Sequence, residues 1–155
     1  MNGDTLRTGK SLPIPSECPD HLFTQGKNKK WKIATGHHTR EAINQRPSFD
    51  QDRFVTLWHD KHSAEIALEI RKAMILTFCR GMDFMLYPSD PMLLLGAWVG
   101  DSLDTKEFVM RVEDFLHVSI SDRDLERFIY KMTYREAVQF IMELQKQNFS
   151  HDSKK

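Results

Sequence analysis

The spacing of apolar residues divides the chain near residue 47. Residues 1–47 contain four prolines and four glycines, and their apolar residues follow no sustained period. We therefore predict an N-terminal extension that is extended or disordered. We also expect that its removal leaves the stability of the rest nearly unchanged. Ser48 can then cap a short accessory helix within 48–62, whose apolar residues are Phe49, Phe54, Leu57 and Trp58.

Residues 63–148 have the period of amphipathic helices. Ser63 is the expected N-cap of the first helix, which ends at Arg80-Gly81, and Asp101 begins the second. Ser121 caps a short third helix, and Thr133-Tyr-Arg-Glu136 is a capping box that opens the last. The four apolar faces consist of Ile66, Ile70, Ala73, Met74 and Phe78; of Phe108, Val109, Val112, Phe115 and Leu116; of Leu125, Phe128 and Ile129; and of Ala137, Phe140, Ile141 and Leu144.

These elements predict an all-α fold. Pro88 and Pro91 prevent a continuous helix between the first two helices, so the first loop is long. The predicted architecture is a small four-helix bundle over 63–148, behind the partly disordered N-terminal extension. Residues 149–155 are expected to form a disordered tail.

Composition excludes some classes of protein without selecting one. The chain has 22 basic and 22 acidic residues among 155, so its overall charge does not favour nucleic acid. Cys18 and Cys79 form no CxxC motif or disulfide framework, which suits a reducing compartment. No apolar stretch reaches ~18 residues, and the first residues are too polar for a signal peptide. We therefore expect a cytoplasmic monomer with no membrane span.

The clearest candidate for a functional site is the segment Asp101-Ser102-Leu103-Asp104, at the start of the second predicted helix. A serine in the first turn of a helix can present its hydroxyl to solvent. Unpaired backbone N–H groups at that end of the helix favour a bound anion such as a phosphate. An anionic group on Ser102 would therefore lie close to these N–H groups.

The sequence from Asp101 to Met110 closely resembles the prosthetic-group segment of acyl carrier proteins. The resemblance covers roughly residues 63–144 and includes the acidic pair Glu113-Asp114. It implies that Ser102 carries 4′-phosphopantetheine from coenzyme A, flanked by Asp101 and Leu103, and that acyl groups are held on it as thioesters. The implied protein is a carrier and not an enzyme, with a partner surface made of Asp104, Glu107, Met110, Glu113 and Asp114.

The same resemblance implies the partners and the pathway. A phosphopantetheinyl transferase would modify the serine, and acyl-loading enzymes, synthases or acyltransferases would use the product in fatty acid, lipid or secondary-metabolite biosynthesis. Lys106 and Arg111 depart from the family pattern, because neutral or apolar residues are common at those positions. These basic residues indicate a dedicated set of partners.

Two other functions use the same residues. The first is a carrier-like interaction module that is never modified. The second is a serine hydrolase, because Gly100-Asp-Ser-Leu103 matches the GDSL nucleophile motif and Asp114-x-x-His117 could complete a triad. A helix rises ~1.5 Å per residue, which would separate Ser102 from His117 by ~20 Å and argues against the triad.

Two further kinds of site have weaker support. His59 and His62 could share a helix face, and His37-His38 are adjacent, but no third ligand follows at a suitable spacing, so we predict no metal site. Trp31 among basic residues could stack on a single strand of nucleic acid. Short basic stretches of this kind are common in tails, so we predict no nucleic-acid partner.

Overall fold

The computed structural model describes residues 23–33, 45–78, 83–93 and 102–152. Within these ranges the chain is mostly helical, which confirms the predicted class at that level. A two-stranded hairpin precedes five helices. The elements are β1 (Phe23–Gln25), β2 (Trp31–Ile33), α1 (Gln51–Thr56), α2 (Lys61–Phe78), α3 (Ser102–Leu116), α4 (Asp122–Tyr130) and α5 (Tyr134–Asp152).

The hairpin lies inside the segment that composition assigned to an extended or disordered extension. β1 and β2 are antiparallel, with Phe23 opposite Ile33. In the turn between them, the Gly26 N–H donates to the Lys30 carbonyl at 2.9 Å. Lys29 adopts a positive φ of 63°. Threonine, tryptophan and isoleucine favour strands, and a Gly-Lys-Asn-Lys turn joins them, which explains the pairing.

Helix α1 starts two residues later than its predicted cap would allow. The Asp50 carboxylate accepts from the Arg53 N–H at 3.3 Å, so Asp50 is the N-cap. Ser48 instead forms an antiparallel bridge with Phe84. The predicted cap was wrong because the backbone of Ser48 is engaged with another segment. Helix α1 directs the fully buried Phe54 into the core.

Helix α2 begins at Lys61, so residues 61 and 62 belong to it and not to the accessory segment. The carboxylate of Asp60 accepts from the Ser63 N–H at 2.7 Å. This hydrogen bond holds the pKa of Asp60 below its ordinary value. The predicted N-cap Ser63 was wrong, because Ser63 is buried inside the first turn. The predicted end at 80–81 lies outside the described residues.

The last two predicted caps are confirmed. The Ser121 hydroxyl accepts from the Asp124 N–H at 3.2 Å and opens α4. The Thr133 hydroxyl accepts from the Glu136 N–H at 3.2 Å and opens α5. Helix α5 continues to Asp152, beyond the domain end predicted at residue 148. Residues 145–152 contain no proline or glycine to stop it.

The core is a single cluster to which all five helices contribute. Helix α2 packs against α1, α3 and α5. Aromatic rings add contacts between elements. The ring of Trp58, in the turn after α1, lies 4.9 Å from that of Tyr134 in α5, and Phe128 of α4 lies 6.0 Å from Phe140 of α5. The predicted apolar positions that are buried in it are Phe54, Trp58, Ile66, Ile70, Ala73, Met74, Phe108, Val109, Val112, Leu116, Phe128, Ile129, Ala137, Phe140 and Ile141.

The segment before α1 is tied to the loop that follows α2. The Met85 N–H donates to the Pro47 carbonyl at 2.9 Å. The Arg46 guanidinium forms two hydrogen bonds with Asp90, of 2.8 and 2.9 Å. Residues 46 and 47, which composition placed in the extension, therefore belong to the packed structure. Composition misplaced them because their position depends on a charge pair between residues 44 positions apart, which no local period reveals.

Candidate functional site

The candidate attachment residue, Ser102, is the first residue of α3. The first four N–H groups of a helix have no acceptor within the helix, so this end of α3 carries a partial positive charge. Asp101 lies outside the described residues, and the structure describes only the backbone of Ser102 and Leu103.

The exposed face of α3 combines one apolar side chain with several charged ones. Met110 is 63% exposed. Glu107 accepts a hydrogen bond from Arg111 at 2.8 Å, and Lys106 and Asp114 are exposed. Residues three or four positions apart share a helix face, so these five side chains form one surface. We call Lys106, Glu107, Met110, Arg111 and Asp114 the α3 surface.

The remaining predicted partner residues lie at the borders of that surface. Asp104 and Glu113 are half-buried. Asp104 is in the first turn of α3, where a carboxylate stabilises the helix through its dipole. The structure therefore brings Glu107, Met110 and Asp114 together, with Asp104 and Glu113 beside them.

The opposite face of α3 fixes the orientation of this surface. Phe108 and Val112 are fully buried, and Phe108 stacks on Phe128 of α4 at 6.5 Å. Helix α2 covers the rest of the buried face. Because apolar contacts hold α3 on two sides, the α3 surface faces away from the core, with Arg111 half-buried at its edge.

Two side chains of α5 hold the end of α3 that is remote from Ser102. Gln145 donates to the Leu116 carbonyl at 3.1 Å, and Asn148 donates to the His117 carbonyl at 3.2 Å. His117 has a positive φ of 54°, so it reverses the chain directly after the helix. Carbonyls at the end of a helix receive no hydrogen bond from N–H groups within the helix, and the two side-chain amides donate to them instead. The role of this pair was not predicted, because its only sign in the sequence is two amide side chains three residues apart.

The positions of Ser102 and His117 also bear on the hydrolase alternative. Ser102 is the first residue of α3, and His117 follows its last residue. Fifteen residues at ~1.5 Å per residue separate them by ~20 Å, too far for a histidine to take the serine proton.

Two adjoining pockets lie at this remote end of α3. One has a volume of about 420 Å³ and the other about 580 Å³, and they share His62, Leu116, His117 and Gln145. In the described ranges, no three His, Cys, Asp or Glu side chains gather as metal ligands would. The same ranges contain no helix long and apolar enough to span a bilayer.

Comparison of the chain with protein families, with characterised proteins and with solved structures gave no match.

Proposed function

We propose that this protein is an acyl carrier protein whose Ser102 bears 4′-phosphopantetheine. The observation that carries the proposal is a coincidence of sequence and structure. The serine singled out by the Asp101–Met110 resemblance is the residue at which α3 begins. The attachment motif occupies the ten residues from Asp101 to Met110, and the start of the helix comes from the folding of the whole chain.

The end of α3 fits the proposed group. A phosphodiester on Ser102 would lie near backbone N–H groups at the positive end of the helix, which stabilise an anion. When bound, the group supplies a thiol that holds an acyl chain as a thioester. The chain's own part is to place the serine at the start of a helix. The buried Phe108 and Val112 hold that helix against the core.

Attachment needs no catalytic group from this chain. The Ser102 hydroxyl forms a bond to the phosphorus nearest the pantetheine of coenzyme A, and the bond from that phosphorus to the bridging oxygen breaks. The hydroxyl proton leaves, and 3′,5′-ADP departs. The metal ion and the base belong to the transferase, so the carrier has only to present an accessible serine.

The α3 surface is the proposed docking face for partner enzymes. Methionine and arginine are enriched at protein interfaces, and Met110 is exposed between charged neighbours. The face carries Lys106 and Arg111 as well as carboxylates, so a uniformly basic partner would meet repulsion there. We infer partners with an apolar socket for Met110 and charges of both signs around it, because rim charges select the partner and its register.

The finer architecture is part of the same proposal. Helices α2 to α5 would correspond to the four helices of an acyl-carrier-like bundle. Helix α1 and the segment before it would be an addition that contributes Phe54 to the same core. The long connection between α2 and α3, and the short α4, support this assignment.

The proposal is tested by incubating the protein with coenzyme A and a broad-specificity phosphopantetheinyl transferase. Intact mass should increase by one phosphopantetheine. Ser102→Ala should abolish the increase, and Ser119→Ala, an exposed serine in the loop after α3, should retain it. No increase with several transferases would favour the unmodified interaction module. Esterase activity that Ser102→Ala removes would favour the hydrolase.

A further inference from the structure

A lysine of the hairpin occupies a defined position on the outward side of α4. Lys30 Nζ lies 2.6 Å from a carboxylate oxygen of Glu126. The same ammonium lies 5.8 Å from the centroid of the Tyr130 ring. Glu126 and Tyr130 are four residues apart, so they share one face of the helix. One cation therefore makes an ion pair and a cation–π contact together.

The helix that bears this position packs beside the serine-bearing half of α3. The inward side of α4 places Phe128 against Phe108, at 6.5 Å between ring centroids. Phe108 lies in the second turn of the helix that Ser102 begins. The docking position thus lies on the helix whose inward side contacts α3 through this ring pair.

The contact is weak enough to exchange. The side chains of Lys30 and Glu126 are 39% and 57% exposed. Ion pairs and cation–π contacts with such exposure each favour the state in which Lys30 is bound, over the state in which it is free, by only about two- to fivefold. The pairing does affect the carboxylate, because Lys30 holds the pKa of Glu126 below its ordinary value. Salt would weaken both contacts.

We propose that Glu126 and Tyr130 form a docking position for a lysine or arginine side chain of a protein partner. Lys30 occupies this position in the free protein, and the partner displaces it. The bound Lys30 demonstrates that carboxylate and ring are spaced to hold one ammonium group. The Glu126 carboxylate and the face of the Tyr130 ring both attract a cation, so the position suits a basic side chain of a protein and not a phosphate. The proposal is independent of Ser102 and of its modification.

The tyrosines provide a specific probe. The chain has three of them. Tyr87 and Tyr134 are each 1% exposed, whereas Tyr130 is 42% exposed. In protein labelled with ¹³C on the tyrosine rings, Lys30→Ala should shift the Tyr130 resonance and leave the other two unchanged. Penta-lysine, titrated at low salt, should then shift the Tyr130 resonance of Lys30→Ala protein. The concentration needed should be about three- to tenfold lower than for the unsubstituted protein.

Two variants control for charge alone. Lys27→Ala removes an exposed cation from the same turn and should leave both the Tyr130 resonance and the affinity unchanged. Lys30→Ala with Glu126→Gln should lose the gain in affinity. The proposal is overturned if Lys30→Ala does not move Tyr130, if Lys27→Ala has an equal effect, or if the double variant still binds tightly. That last result would place the peptide elsewhere, for instance on the α3 surface. None of these outcomes affects the carrier proposal, whose test is modification of Ser102.

Discussion

Removal of the Arg46 guanidinium should destabilise the fold strongly. Its side chain and that of Asp90 are 1% and 2% exposed. The two groups make hydrogen bonds of 2.8 and 2.9 Å, and Arg46 also donates to the Met85 carbonyl at 3.2 Å. Asp90 in turn accepts from the Tyr87 N–H at 2.7 Å. Arg46→Met keeps most of the side-chain volume but leaves a buried carboxylate without its cation.

Loss of one partner of a buried ion pair typically costs ~3–5 kcal/mol, and we expect Arg46→Met to fall in that range. Adding Asp90→Asn should recover part of the loss. The asparagine has no charge to leave unpaired, and its oxygen can still accept from Tyr87. We expect the double variant to cost ~1–2 kcal/mol, as for a few lost neutral hydrogen bonds.

Urea unfolding followed by far-ultraviolet circular dichroism measures these free energies. Arg53→Met is the matched control, because Arg53 pairs with Asp50 at 3.8 Å in an exposed position. That change should cost ~0–1 kcal/mol. The reasoning is refuted if Arg46→Met costs less than ~1 kcal/mol, or if the double variant is no more stable than the single one.

Two further predictions concern Tyr134 and Asp60. Burial raises the pKa of Tyr134. Above pH ~10 the unfolded chain therefore releases a proton that the folded chain keeps. The free energy of unfolding then falls by ~1.4 kcal/mol for each further pH unit. Tyr134→Phe should remove this slope from unfolding free energies measured between pH 9 and 11. Tyr130→Phe, which changes an exposed ring, should preserve it. Equal slopes in the two variants would contradict the burial argument. Asp60→Ala should lower the melting temperature measured by circular dichroism more than Ser63→Ala does, because Asp60 caps α2. The absence of a decrease in Asp60→Ala would contradict the assignment of Asp60 as the cap.

The period of apolar residues was sufficient to predict the buried faces of four helices. It succeeded because burial repeats every three or four residues in any helix that packs on one side. The caps at Ser121 and Thr133 were predictable for a similar reason, since the residues that satisfy a helix start are local. The cap predicted at Ser63 was wrong, because Asp60 accepts from the Ser63 N–H and Ser63 itself is buried, which depends on tertiary packing.

Contacts between distant segments could not be predicted from local patterns. Composition indicated that residues 1–47 are dispensable, but Arg46 pairs with Asp90 across 44 positions. The hairpin lysine that contacts Glu126 gave no signal beyond a short basic stretch. For the candidate site, the exposed side of α3 followed from the period. The choice of Ser102 required the family resemblance, since a serine in a first turn is common.

The most direct test of the account is the intact mass of the full chain after it is produced in cells that contain a phosphopantetheinyl transferase. The carrier function predicts a species heavier by one phosphopantetheine. Peptide fragmentation should locate the group on Ser102, and Ser102→Ala protein with an unchanged circular dichroism spectrum should lack it. An unmodified mass in the presence of several active transferases, or a group located on another serine, would contradict the central claim.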